Sequence, residues 1–317
     1  MKKIILSIVI ILTASAAGFS QTLIKQGLDS VVSQQDCKQF FSYNDKGNNT
    51  LYILYIWNDK TNDWIKSEKY EYTYDDSGNQ TLYILYTWNN KTNDWIKREK
   101  YKFTYDNSRN RTLQIRYTWD NEISDWIKNR KHEYTYDNIG NQILQIRYTW
   151  NNGISDWIKH EKCKHTYDNN GNQTLFIYHY WDNGMNDWKA SSKHEYTYDN
   201  NGNQTLDISY AWDNGINEWK ASFKGEHAYD NSGNQTLYIR YTWDNGISDW
   251  IKRGKNEYAC NTSYSKGDLI SPILLTNDTL FFLNMLTKEI GYQWSGTDWE
   301  QSEYIATYYW FPKEITK

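Results

Sequence analysis

YDDSGNQTLYILYTWNNKTNDWIKREKYKFTY, residues 74–105, spans one period of a tandem repeat, from one lattice tyrosine to the next. The pattern runs seven times at 31-residue spacing with no insertion or deletion. Trp57, Trp88, Trp119, Trp150, Trp181, Trp212 and Trp243 mark one lattice position, and Trp64, Trp95, Trp126, Trp157, Trp188, Trp219 and Trp250 a second. Tyr43, Tyr74, Tyr105, Tyr136, Tyr167, Tyr198 and Tyr229 mark a third. A period of this length means a repeat architecture, whose units bury their apolar faces only against their neighbours.

The quoted unit reads as two strands and two turns. Asp75-Asp76-Ser77-Gly78-Asn79 is a turn: Asp75 opens it, and Gly78 supplies a positive φ. Gly47, Gly140, Gly171, Gly202 and Gly233 repeat the device, while Arg109 predicts one strained or different turn. From Gln80 to Trp88 the residues alternate, with Leu82, Ile84, Tyr86 and Trp88 on one face and Thr81, Tyr83, Leu85 and Thr87 on the other. The loop at 89–94 becomes Asp182-Asn183-Gly184 or Asp244-Asn245-Gly246 in later units, a hairpin signal. The return strand, Trp95 to Tyr105, then has an inner set of Trp95, Lys97, Glu99, Tyr101, Phe103 and Tyr105. Its outer set is Ile96, Arg98, Lys100, Lys102 and Thr104. Pairing Trp88 with Trp95 keeps the apolar sets together and places Leu82 opposite Tyr101.

The predicted fold class is therefore all-β: an antiparallel meander of seven two-strand units. A sheet this wide would expose an aromatic wall larger than soluble proteins tolerate, and open sheets rarely exceed about ten strands. The expectation is a sheet curled into a spiral shell, a flattened barrel or a two-layer wrap. A membrane barrel is the main rival, but its lipid face would have to carry Lys66, Glu68, Lys97 and Glu99.

The repeat domain is expected over residues 41–260, between an N-terminal cap at 21–40 and a C-terminal cap at 261–317. That second cap holds a degenerate eighth unit around Trp294 and Trp299. Residues 1–20 read as a secretory signal peptide: Lys2 and Lys3, an apolar run from Ile4 to Leu12, then small residues. No segment is long enough for a transmembrane helix. Cleavage would take two Lys and no acid, moving the net charge from −4 to −6. The chain is thus expected to be exported, to the periplasm, the cell surface or the medium. Three cysteines are too few for a disulfide scaffold. Cys163 and Cys260 stand at aromatic lattice positions, and a bridge from Cys37 to either is open.

Tyr-x-Tyr-Asp-x-x-Gly-Asn recurs as Tyr72-Thr73-Tyr74-Asp75-Asp76-Ser77-Gly78-Asn79 and as Tyr196-Thr197-Tyr198-Asp199-Asn200-Asn201-Gly202-Asn203. The motif resembles the YD repeat of Rhs-type secreted proteins and of exported YD-like bacterial repeat proteins with paired Trp. The resemblance covers roughly residues 40–260 and implies a secreted β-repeat scaffold. YD shells often enclose a toxin domain. This chain departs from them in its longer period and shows no self-cleavage module, so encapsulation is not expected.

Little in the sequence points to chemistry. His132 and His194 share one lattice position and His165 and His227 another, so they read as aromatic replacements. Residues one unit apart lie roughly 10 Å apart, too far to share a zinc ion. The Asp-rich turns lack the spaced carboxylates of a calcium loop. No nucleophile–base arrangement and no phosphate loop recurs. The expectation is no enzyme, no metal and no cofactor.

Charge is the better clue. Turns carry the Asp and strands the bases: Lys69, Arg98, Lys100, Lys102, Arg116, Lys131, Arg147, Lys162, Lys164 and Arg240, with Tyr83, Phe176, Tyr178 and Tyr238 among them. Such a face suits a glycan, an anionic polymer or a protein. The negative net charge argues against nucleic acid. The inner charges Lys66, Glu68, Lys97, Glu99, Lys128 and Arg130, with Trp88 and Trp95, are the candidate ligand-binding residues. They predict a hydrated, charge-lined groove at the Trp-loop end of the N-terminal half. The bland reading is that these side chains snorkel to a wet rim. Two functions follow: a non-catalytic surface scaffold that binds glycan or protein, or a structural or adhesive spacer with no ligand site.

Overall fold

The computed structural model describes residues 30–32, 37–265, 269–270, 284–307 and 311–312. The expected signal peptide, most of the expected N-terminal cap and part of the expected C-terminal cap, including residues 271–283, lie outside these residues. All regular structure among the described residues is strand. Each unit gives an outgoing strand of 10 residues, such as Gln80–Asn89, and a return strand of about 12, such as Asp94–Tyr105. Eighteen strands join into one antiparallel sheet in chain order. Its described ends are Ser30–Val32, which pairs with Cys37–Tyr43, and Trp299–Thr307, which pairs with Asn284–Trp294. Two short strands, Leu269–Ile270 and Phe311–Pro312, pair separately.

The sheet is not closed into a barrel. Among the described residues, strands contact their sequence neighbours and little else, and no second layer covers either face. Of the curled forms expected, the flattened barrel and the two-layer wrap are not found. Phe103 and Tyr241, each 8% exposed, are the only buried hydrophobic side chains among the described residues.

An uninterrupted aromatic wall is avoided by a register device that simple alternation does not reveal. In each of the seven repeat-unit Trp hairpins the ladder shifts by one residue in the return strand. Leu85 pairs with Glu99 but Tyr86 with Lys97, which leaves Arg98 as a bulge. Ser67, Asn129, His160, Ser191, Ser222 and Arg253 hold the same place in the other units. One extra residue inverts the facing of everything beyond it. The inner set expected for the return strand is therefore corrected. Trp95 and Lys97 stay with Trp88, but past Arg98 it is Lys100, Lys102 and Thr104 that join them. Glu99, Tyr101 and Phe103 turn to the other face. Leu82 pairs with Lys102, not with Tyr101, and across the other edge with Thr73. A second bulge, at Thr81 and its equivalents, restores parity before the next unit. It also brings Thr81 back to Thr73, with the two hydroxyls 3.0 Å apart.

Aromatic residues are thus shared between two faces, each interleaved with charges. The Trp face carries Leu82, Ile84, Tyr86, Trp88, Trp95, Lys97, Lys100 and Lys102. The Tyr face carries Tyr83, Leu85, Thr87, Glu99, Tyr101 and Phe103.

The turns hold the units in step. Asp75 Oδ1 accepts the Asn79 amide at 2.8 Å and Oδ2 accepts the Asn79 side-chain amide at 2.9 Å, with Gly78 at φ 85°. The following tyrosine staples neighbouring hairpins. Tyr105 Oη donates to the Gln80 carbonyl at 2.8 Å, and Tyr74, Tyr136, Tyr167, Tyr198 and Tyr229 repeat the bond 25 residues back at 2.7–2.9 Å. Arg109 keeps the same turn at φ 67°, so that turn is strained rather than different. Relief of a left-handed non-glycine residue is worth roughly 1–2 kcal/mol, less the extra unfolded-state freedom of glycine. Arg109→Gly is expected to raise stability by about 0.5–1 kcal/mol in denaturant titration.

The Trp loops differ from their Asn-Gly reading. The left-handed residue is not Gly184 but Asn186, at φ 53°, and Asn93, Ser124 and Ser155 do the same in other units. Asp182 Oδ1 accepts the Gly184 amide at 2.8 Å and the Met185 amide at 3.0 Å. The loop is therefore a longer, Asp-organised turn.

Candidate functional site

Each Trp pair closes a hairpin. Trp88 and Trp95 are direct partners, with ring centroids 5.0 Å apart and planes at 71°. Eight such pairs stand in a row along the Trp-loop edge, all at 5.0–5.2 Å and near-perpendicular, and the eighth is Trp294–Trp299 of the expected degenerate unit. Edge-to-face geometry suits the ring quadrupoles, and each indole stays partly exposed.

Two lysine ladders cross this row. Lys66, Lys97, Lys128 and Lys159 each set Nζ 4.1–4.2 Å from the ring centre of a Trp in the next unit, namely Trp88, Trp119, Trp150 and Trp181. The ladder breaks at Ala190 and Ala221 and resumes with Lys252 over Trp294. The second ladder, Lys69 and its equivalents, is unbroken across all seven units. Lys69 Nζ lies 3.9 Å from the Tyr86 ring centre and 2.7 Å from Glu71 Oε1, while Glu71 Oε2 accepts the Tyr86 hydroxyl at 2.6 Å. The same Lys–Glu–Tyr clamp recurs as Lys131–Glu133–Tyr148, Lys193–Glu195–Tyr210, Lys224–Glu226–Tyr241 and Lys255–Glu257–Tyr292.

Burial alone would raise the Glu71 carboxyl. Hydrogen bonds from Lys69 and Tyr86 outweigh it and hold the group below its ordinary range, and Glu133, Glu195 and Glu226 behave alike. Burial, then the bond to Glu195, pushes the Tyr210 phenol up to about 12. A lowered carboxyl adds stability that is complete above its unfolded value near 4.5 and is lost as pH falls through the folded value. A raised phenol adds stability below its unfolded value of 10.0, lost as pH climbs toward 12. Thermal melts are therefore expected to show a broad plateau, with acid loss below about pH 4 and alkaline loss from about pH 10. A melting temperature that rises between pH 10 and 12 would contradict the clamps.

The Tyr face is built differently. Tyr83 stacks on Tyr101 at 4.5 Å, and His227 on Tyr238 at 4.7 Å. Histidines replace tyrosines in these stacks, as expected: His165 lies against Phe176, and Phe176 against His194. Arg116 pairs with Glu99 and Arg147 with Glu161. No disulfide joins Cys37, Cys163 and Cys260. Among the described residues no three His, Cys, Asp or Glu converge as metal ligands, and no helix is long and apolar enough to cross a membrane.

The bulge divides the residues singled out from sequence. Lys66, Lys97, Lys128, Trp88 and Trp95 lie on the Trp face. Glu68, Glu99 and Arg130 lie on the Tyr face, where Glu68 Oε2 accepts the Tyr70 hydroxyl at 3.1 Å and Arg130 pairs with Arg116 and Thr149. A single groove lined by all eight is thus corrected. Parts of it meet at the loop edge. A hollow of about 610 Å³ is lined by Lys66, Glu68, Trp57 and Trp88, and one of about 1070 Å³ by Lys128, Arg130, Trp150 and Trp181. Lys97, Glu99 and Trp95 line neither.

Sequence alternation missed the Lys69 ladder, because it assigned that residue outward. The signal was present all the same: a lysine kept in seven units of seven is not free to vary, as a solvated position would be.

No family model and no characterised sequence matches the chain. Solved structures similar to it include a protein of unknown function from Bacteroides fragilis, at 20% identity and TM-score 0.36, over 41% of this chain and 93% of that one. A TcdB2-TccC3 structure is similar over 86% of this chain and 16% of its own length, at 11% identity and TM-score 0.27. A porin-like protein from Bacteroides uniformis is similar over 70% of this chain and 92% of that one, at 10% identity and TM-score 0.30.

Proposed function

We propose that the chain is a non-catalytic, exported β-repeat scaffold that binds ligand along its Trp face, with glycan as the first choice and protein as the second. The observation that carries the reading is the row of eight partly exposed Trp pairs at one edge of the sheet, flanked by lysines. Sugar rings stack on aromatic faces, and ammonium groups orient hydroxyl and acidic substituents. A repeated row offers many weak contacts to a chain-like ligand, so avidity builds without a deep pocket. The YD-like motif and the basic-apolar start of the chain support export. The test is a glycan array probed with the chain and with Trp150→Ala/Trp157→Ala. Array signals that drop in the variant support the reading, and signals that do not change with the Trp row overturn it.

The spacer reading keeps one specific observation in its favour. The lysine ladder over Trp is interrupted by Ala190 and Ala221 while the Trp pairs and the Tyr–carbonyl staples continue, as a purely mechanical role would allow.

A further inference from the structure

Two of the seven clamps lack their carboxylate. At the Glu71 lattice position the chain carries Lys102 and Lys164, while Glu133, Glu195, Glu226 and Glu257 fill the other units. Each exception puts two lysines on one strand and one face, Lys100 with Lys102 and Lys162 with Lys164, where the other units pair a cation with an anion.

The side chains have adjusted. In the complete clamps the lysine sits 3.9–4.0 Å from its tyrosine ring centre and 5.6–5.7 Å from the Trp. Without the carboxylate, Lys100 Nζ withdraws to 4.5 Å from Tyr117 and closes to 4.6 Å from Trp126. Lys162 Nζ likewise lies 4.7 Å from Trp188. In that second unit the clamp tyrosine is replaced by His179, whose Nδ1 is buried and has no hydrogen-bond partner. Burial and then the neighbouring lysine lower both Lys100 and Lys162, the mark of a cation missing its counter-charge. Lys97 adds to the positive side at the first site and Lys159 at the second, each opposed by one exposed carboxylate, Asp125 or Asp187.

We propose that Lys100–Lys102–Tyr117 and Lys162–Lys164–His179 are two oxyanion subsites, in which a carboxylate or sulfate group of an acidic glycan takes the place of the absent glutamate. The oxyanion would accept from both ammonium groups and from the Tyr117 hydroxyl, as Glu71 does from Lys69 and Tyr86. The adjoining Trp119–Trp126 and Trp181–Trp188 pairs offer their rings to the sugar that carries the charge. The subsites are two units apart, roughly 19 Å at about 4.8 Å per strand, which a linear polymer spans and a small anion does not. This inference rests on the glycan reading above and specifies the class of glycan.

The test measures binding of polygalacturonate and of neutral dextran to the full chain by calorimetry. Lys102→Glu and Lys164→Glu restore the residue of the other five units, so both are expected to fold. Each should weaken polygalacturonate about tenfold, and the pair about a hundredfold, for loss of one and two charge-assisted contacts. Glu133→Lys should create a third subsite and tighten binding. Lys102→Gln, which removes a charge without adding one, should give a smaller loss and serves if a Glu variant fails to fold. Polygalacturonate binding within twofold of the parent in the double variant would overturn the inference. So would a parent that binds no polygalacturonate, or one that binds a single-stranded oligonucleotide equally well. The broader glycan reading would survive the first two results if array signals still depended on Trp150 and Trp157.

Discussion

Deleting Asn129 is expected to cost the protein roughly 3 kcal/mol or more, although the residue itself makes little contact. Its side-chain amide donates only to Thr118 Oγ1, at 3.2 Å. What it supplies is a count. With Asn129 present, Leu113 pairs with Glu133, Ile115 with Lys131 and Arg116 with Arg130. Without it, every residue from Arg130 to Tyr136 must either change face or slide past two neighbouring strands. The Lys131–Glu133–Tyr148 clamp would turn away from Trp150 and Trp157, and His132 and Tyr134 would leave their stack on the Tyr face. About half a dozen cross-strand pairs at about 0.2–1 kcal/mol each set the magnitude. Denaturant titration should show the loss as a lower midpoint. Substitution Asn129→Ser, the residue of three other units, should be nearly neutral. Equal effects of deletion and substitution would contradict the bulge.

Trp150→Ala is expected to destabilise by about 2–3 kcal/mol. Trp150 packs edge-to-face on Trp157 at 5.1 Å and accepts Lys128 Nζ at 4.1 Å. An aromatic pair is worth about 0.5–1.5 kcal/mol beyond its burial, and an exposed cation–π contact about 0.5–1. Apolar area removed from water supplies the remainder, reduced because the ring stays partly exposed. In a double-mutant cycle with Trp157→Ala, the coupling should be favourable and close to the pair value. Unfolding followed by circular dichroism gives all four corners. Additive effects would mean that the two rings do not support one another. The same change two units away, at Trp212, should cost less, because Ala190 and not a lysine precedes it on that ladder.

Much of this fold was legible because the chain repeats itself. The 31-residue period, the Trp–Trp pairing, the Gly78-type turns and the alternation of Leu82, Ile84, Tyr86 and Trp88 follow from local rules. Facing beyond the Trp loop did not, since parity in a strand depends on every residue before it. Arg98, Asn129 and Ser191 share no bulge-forming side chain, so nothing local marks the inserted residue. Glu99 and Arg130 were therefore placed with the tryptophans, and Lys69 and Lys100 away from them. The lattice held the correction: Lys69 is invariant from unit to unit, and Glu71 varies only to lysine. The expectation of a closed barrel or a two-layer wrap has the same origin. The aromatic wall was inferred from Tyr101 and Phe103 sharing a face with the tryptophans, whereas those rings turn to the other face and lysine stems cover part of the Trp face.

The bulge-set register is tested most directly by cross-strand nuclear Overhauser contacts between α-protons in the unmodified protein. Leu113 should contact Glu133, and Leu82 should contact Lys102, in step with the paired positions. Contacts of Leu113 to His132 and of Leu82 to Tyr101 would mean an unbroken alternation, and would take the lysine clamps and both oxyanion subsites off the Trp face.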